Sequence, residues 1–253
     1  MSKIVLNSLS IVALALIVAA FTSCTSKKKA SDNVNKVKLL ESIINADDKT
    51  VKLEYDAQNR ISKKSGYDNG KLSFTETFAY GKNGSVKSVR TYYYDVKSRF
   101  EVEFVRNGNM ITVPENEQDV ADYHVNDDGY LMKEVREVWE GTYHYQGGNV
   151  TKITGFWKDW INDTTEDVVM EYKYDDKKSP FFNDKTPKWL IKFLFSDYGL
   201  TNNIIEHNHS AGLLYTYKYE YDSDGFPTKQ TALKKYKGKD DGRSETQFIY
   251  RSE

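Results

Sequence analysis

Cysteine is almost missing from this sequence: its 253 residues hold one, Cys24. A lone thiol closes no internal disulfide, so a cystine-stapled fold is excluded. Proline is scarce at four residues, too few for a Pro-rich linker protein. An excess of one charge is missing too. Lys and Arg number 36 against 37 Asp and Glu, a formal net charge of −1, and that balance gives no electrostatic reason to expect nucleic acid. The apolar run Ile11 to Phe21 is shorter than the roughly 20 residues a spanning helix needs. Gly-x-Ser-x-Gly, His-Glu-x-x-His and a phosphate-cradling glycine loop are all absent. No cofactor motif and no metal-ligand set emerges.

What the sequence has in quantity is tyrosine, 19 residues, set in a recurring pattern. In the clearest copy, Tyr217, Tyr219 and Tyr221 alternate with Lys218 and Glu220, then Asp222-Ser-Asp-Gly225 follows, then a second polar–apolar stretch. A period of two puts the aromatic rings on one face of a strand and the charges on the other. The aspartates offer carboxylates to nearby backbone N–H groups and Gly225 accepts a positive φ, which predicts a hairpin closed by a bulge. Further copies start at Leu53, Phe78, Val102, Tyr123, Tyr143 and Tyr172, with Gly84, Gly108, Gly129 and Gly148 in the turn and Asn59 standing in for glycine in the first. One hairpin per copy plus terminal strands predicts an all-β antiparallel meander of about sixteen strands. Its aromatic face must be buried, either by curling into a barrel-like roll or by folding over as two packed layers.

Tyr172-Lys-Tyr-Asp-Asp-Lys-Lys-Ser-Pro-Phe181 and Tyr219-Glu-Tyr-Asp-Ser-Asp-Gly-Phe-Pro-Thr-Lys229 resemble the YD (Rhs-type) repeat, and more closely the YD-like repeats of secreted Bacteroidetes lipoproteins of unknown function. The resemblance implies a β-hairpin array and carries no catalytic residues over. Residues 1–23 read as a lipoprotein signal peptide: Lys3, an apolar core, then Phe21-Thr-Ser-Cys24 as a lipobox with Phe21 in place of the usual Leu. Cys24 is the expected lipidation site, residues 24–36 a flexible tether, and 37–253 a single repeat domain. Lipid on Cys24 would make the membrane a partner, at the outer membrane. In related lipoproteins an acidic run after the cysteine resembles a surface-export signal; its absence here points to the periplasmic face.

Val37 to Ile44 reads as the first strand, and the pattern runs regularly until Tyr174. There Asp175 to Pro180 lacks the turn glycine. Thr186 then suits a helix N-cap, Pro187 a first turn and Gly199 a stop, with Trp189, Leu190, Phe193 and Leu194 on one face, so one short helix is expected near 187–198. A rival reading makes Phe193 to Gly199 another repeat copy. Strands resume at about Ile204.

Candidate chemistry is sparse. The Asp-rich turns at Asp127, Asp175 and Asp222 are explained as hairpin chemistry without calcium. His207 and His209 share one side of a strand without a third ligand, and His124 and His144 fall at equivalent solvent-face positions. Trp157 and Trp160, with Asp159 and Asn162 beside them, form the candidate ligand site: indoles stack on sugar rings while carboxylate and amide bind hydroxyls. The bland account has these indoles capping the core near Trp139 and Trp189. The sequence therefore describes a monomeric, non-catalytic envelope protein that binds or scaffolds a glycan, peptide or protein. The alternative is a polymer hydrolase using a carboxylate pair, one of them shielded from water.

Overall fold

The computed structural model describes residues 37–93, 97–113, 121–159 and 161–252. The signal segment, Cys24, the tether and Trp160 lie outside the described residues. Sixteen strands run β1 (Lys38–Asn45), β2 (Lys49–Tyr55), β3 (Ile61–Asp68), β4 (Lys71–Tyr80), β5 (Val86–Tyr93), β6 (Lys97–Asn107), β7 (Met110–Val113) and β8 (Ala121–Val125). They continue as β9 (Leu131–Arg136), β10 (Trp139–Gln146), β11 (Asn149–Asp159), β12 (Thr164–Tyr174), β13 (Ile204–His209), β14 (Leu213–Tyr221), β15 (Pro227–Tyr236) and β16 (Lys239–Ser252). Each strand pairs antiparallel with its sequence neighbours, and β1 pairs with β16, closing the sheet into a barrel. Of the two architectures the sequence left open, the roll is the one adopted.

Four of the repeat turns share one hydrogen-bond scheme. Asp56, Gly81, Asn126 and Asp222 each donate N–H to the carbonyl four residues on and accept at their own carbonyl from the residue three on. That third residue is Asn59, Gly84, Gly129 or Gly225, with φ between 61° and 83°. Side-chain oxygens finish the turn: Asp56 Oδ1 accepts from the N–H of Gln58 and Arg60, and Asp222 Oδ1 from Asp224 and Phe226. These bonds leave the carboxylates little need of calcium; the Lys38 ammonium also sits 2.7 Å from Asp222 and 2.6 Å from Asp224.

A tyrosine at or near the end of six strands has its own bond. Tyr55, Tyr80, Tyr145, Tyr174, Tyr219 and Tyr250 each donate a hydroxyl to the carbonyl of the first or a near-first residue of the preceding strand, at 2.6–2.9 Å. The copies on β6 and β8 carry Phe104 and Val125 there and make no such bond.

The outer face is charged. Glu54–Lys63 and Lys133–Glu140 pair across neighbouring strands at 2.7 Å, Lys173–Glu206 at 2.8 Å and Lys229–Glu245 at 2.9 Å. His124 and His144 are exposed on this face, as the alternation predicts. The described residues contain no helix long and apolar enough to cross a membrane.

The segment between β12 and β13 fills one end of the barrel. Its helix α1 (Lys188–Leu194) is shorter than the 187–198 expected, and Thr186 does not cap it. The Thr186 hydroxyl accepts instead from the Ile61 N–H at 2.7 Å, tying the segment to β3. No strand forms over 193–199. Lys185, Trp189 and Lys178 donate backbone N–H to the carbonyls of Asn59, Gly129 and Gly225, the left-handed turn residues of three repeats. Trp189 and Phe193 reach inward to Phe104, at 5.2 and 5.4 Å between ring centroids, and also contact Tyr123. The helix thus packs against the strands whose repeats lack the second tyrosine.

Candidate ligand-binding lumen

With the repeat-turn rim closed by this plug, the space above it is a cup. Inward residues of alternating period form its wall, and its mouth lies at the other rim. Three cavities open within it, of about 550, 550 and 760 Å3. The first runs from Val138 and Trp157 at the mouth down to Lys192 and Asp197 on the plug. The second shares Tyr123, Arg136 and Phe193 with it and reaches Glu76 and Arg90. The third meets the first at Asp197 and His207 and rises to the β1–β2 turn at Asn45–Asp47.

Trp157 stands at the mouth on β11, directly opposite Trp139 of β10. The rings lie 4.8 Å apart at 40°. Trp139 is buried while Trp157 is 44% exposed, so the pair presents one indole backed by another. Gly141 and Gly155, also opposite each other, make this possible: a Cβ on either would come within 2.6–2.9 Å of the Trp139 ring. Asp159 and Asn162 are close by but turned to each other. The Asp159 carboxylate accepts from the Asn162 side chain at 2.7 Å and from two backbone N–H groups, closing the β11–β12 turn. The structure therefore gives Trp157 a partner, Trp139, that its sequence neighbours did not announce; the spacings Trp139-x-Gly141 and Gly155-x-Trp157 were the available signal.

On the strands that follow β11 around the wall, Tyr172, His207 and Tyr215 are direct cross-strand partners on β12, β13 and β14. Their rings stack at 4.5 and 5.7 Å, and Tyr217 extends the stack at 6.3 Å. Burial, aided by the nearby Lys192 charge, pulls the His207 imidazole down to about 4, so it is neutral at physiological pH, and its Nε2 is enclosed without a hydrogen-bond partner. His209 accepts from the Ala211 N–H through Nδ1. Among the described residues no three His, Cys, Asp or Glu side chains converge to hold a metal.

The charged groups of the wall were not anticipated. Glu76 accepts from Ser88 and from Arg90, both at 2.7 Å. Glu134 accepts from the Tyr143 hydroxyl at 2.7 Å and pairs with Arg136. Both carboxylates are buried, and both are locked to an arginine and a hydroxyl. Lys64 lies over Phe195 and Phe74, where burial holds its ammonium below the usual lysine range. On the plug, burial brings Lys192 down to about 8, and its ammonium donates to the Ser196 carbonyl.

No protein-family model and no curated protein matches the sequence. Among solved structures, the chain is similar to a porin-like protein from Bacteroides uniformis ATCC 8492, at 15% identity and a TM-score of 0.37, over 86% of this chain and 97% of that one. It is also similar to a porin-like protein from Bacteroides vulgatus ATCC 8482, at 15% identity and a TM-score of 0.42, over 84% and 99%.

Proposed function

We propose that this protein is a non-catalytic envelope binding module that takes a glycan into its barrel lumen. The observation carrying this reading is the Trp157–Trp139 platform at the mouth of a cup whose other end is plugged. A flat, backed indole beside polar groups suits the apolar face of a sugar ring. Cavities of about 550 Å3 fall within the range of small-ligand sites. The two buried carboxylates of the wall, Glu76 and Glu134, are each committed to an ion pair, which leaves the hydrolase alternative no shielded proton donor in either of them. A protein scaffold would need only the outer surface and leaves the lumen without a purpose.

The leader and Cys24 support a lipid anchor at the outer membrane, on its periplasmic side. The outer wall supports a barrel that stands in water rather than one threaded through lipid. A membrane barrel turns an apolar band of roughly 25 Å toward the bilayer, whereas Glu54, Lys63, Lys133, Glu140, Lys173 and Glu206 occupy outward positions here. The chain enters β1 at the plug rim, opposite the mouth.

Titration of the full chain against an envelope and polysaccharide panel tests the reading. Retention of one glycan, weakened about tenfold or more by Trp157→Ala with the melting temperature unchanged, is expected. Binding indifferent to Trp157→Ala, or release of cleavage products, overturns it.

A further inference from the structure

Most charges of the lumen are held in committed groups; among the described residues Glu137 at the mouth and Asp197 on the floor are not. Glu76 and Glu134 are paired with Arg90 and Arg136. Lys192 spends its hydrogen bond on the Ser196 carbonyl. Asp197, three residues past the end of α1, is exposed on the lumen floor, and among the described residues no hydrogen bond or ion pair engages its carboxylate. It sits where the first and third cavities meet.

Its surroundings are phenolic. Burial, and after it the Asp197 charge, holds the hydroxyls of Tyr172 and Tyr198 above the ordinary phenol range, and the same two causes act on Tyr217. Three protonated phenols thus lie close enough to feel this carboxylate. His207, neutral and shared by both cavities, adds no charge of its own, and the buried Lys192 ammonium, which also feels Asp197, spends its hydrogen bond on the Ser196 carbonyl. A carboxylate in such half-enclosed, aromatic surroundings favours the arrival of a cation. A protonated primary amine fits best, since it brings three N–H donors to a carboxylate and phenol oxygens, and aromatic rings attract it further.

Resting on the reading of the lumen as a glycan site, we propose that Asp197 receives the protonated amine of an amino sugar, in a glycan whose ring stacks on Trp157. Both residues line one cavity, so a single ligand of small-oligosaccharide size meets both.

Calorimetry of the full chain in mild detergent tests this with a chitosan tetrasaccharide and its fully N-acetylated counterpart, in a mildly acidic buffer that keeps the free amines protonated. The free-amine oligomer should bind about tenfold tighter. Asp197→Asn, at an exposed position that leaves the fold intact, should cancel the difference, and Asp197→Glu should retain it. Equal binding of the two oligomers, or tighter binding of the acetylated one, overturns the amine assignment and leaves the glycan reading standing. A preference that survives Asp197→Asn overturns Asp197 as its receiver. Failure of both oligomers to bind overturns the amino-sugar assignment, and if the wider glycan panel is also unretained, the glycan reading falls with it.

Discussion

Asp184 is a carboxyl that the fold moves into the neutral pH range. It lies on the plug between the ends of β2 and β4, facing Asp56, Tyr55, Tyr80, Thr186 and Lys185. One carboxylate oxygen accepts from the Thr186 N–H at 2.7 Å, and the other is enclosed with no partner. Burial first, with the Asp56 charge adding to it, raises this carboxyl from 3.8 to about 7 despite the opposing Thr186 bonds. Its folded value exceeds its unfolded one, so this group's contribution is complete below pH 4 and is lost as pH rises toward 7. Asp184→Asn should flatten that slope and leave the protein about 2–4 kcal/mol more stable at neutral pH, read from urea midpoints across a pH series. None of this was legible in the sequence, where Asp184 is one acidic residue among 37 Asp and Glu. Trp157 was legible as a candidate because an indole beside Asp and Asn in an irregular stretch carries chemical meaning by itself. Trp139 was legible only as a core residue that the indole would cap; its pairing with Trp157 depends on a strand partner and two glycines opposite each other.

At the scale of elements, hairpins were readable because each is local. A period of two and a turn residue tolerating positive φ are written within a dozen residues, and Asn59 holds φ 61° where other copies have glycine. The helix was readable in kind and in place, though it ends earlier than expected, at Leu194, and Thr186 had a better use than capping. Its hydroxyl serves a residue 125 positions away, and no local pattern signals that. The plug is also where single substitutions should cost most. Trp189 is 1% exposed and wedged between Phe104 and Tyr123. Trp189→Ala should lower stability by about 3–5 kcal/mol, measured by chemical denaturation, because the rigid wall cannot close on the vacancy. A loss under about 1 kcal/mol would mean that the plug is not held by this packing.

For the whole molecule, the choice of a barrel over two layers rests on the pairing of β1 with β16. Leu40 meets Tyr250 and Ile43 meets Phe248 across that contact, more than two hundred residues apart in sequence. The charged exterior has a consequence for handling: a variant that lacks residues 1–24, and with them the leader and the proposed lipid site, should partition into the aqueous phase in cloud-point partitioning. A variant staying with detergent would show that the barrel itself is lipophilic. The β1–β16 contact also means that the polypeptide forms a ring cut at one place. The cut can in principle be moved. Joining residue 252 to residue 37 by a short linker and opening the chain at the exposed β15–β16 turn, Lys237–Gly238, should give a circular permutant with the same plug and the same lumen, recognisable by an unchanged far-ultraviolet spectrum and a single melting transition.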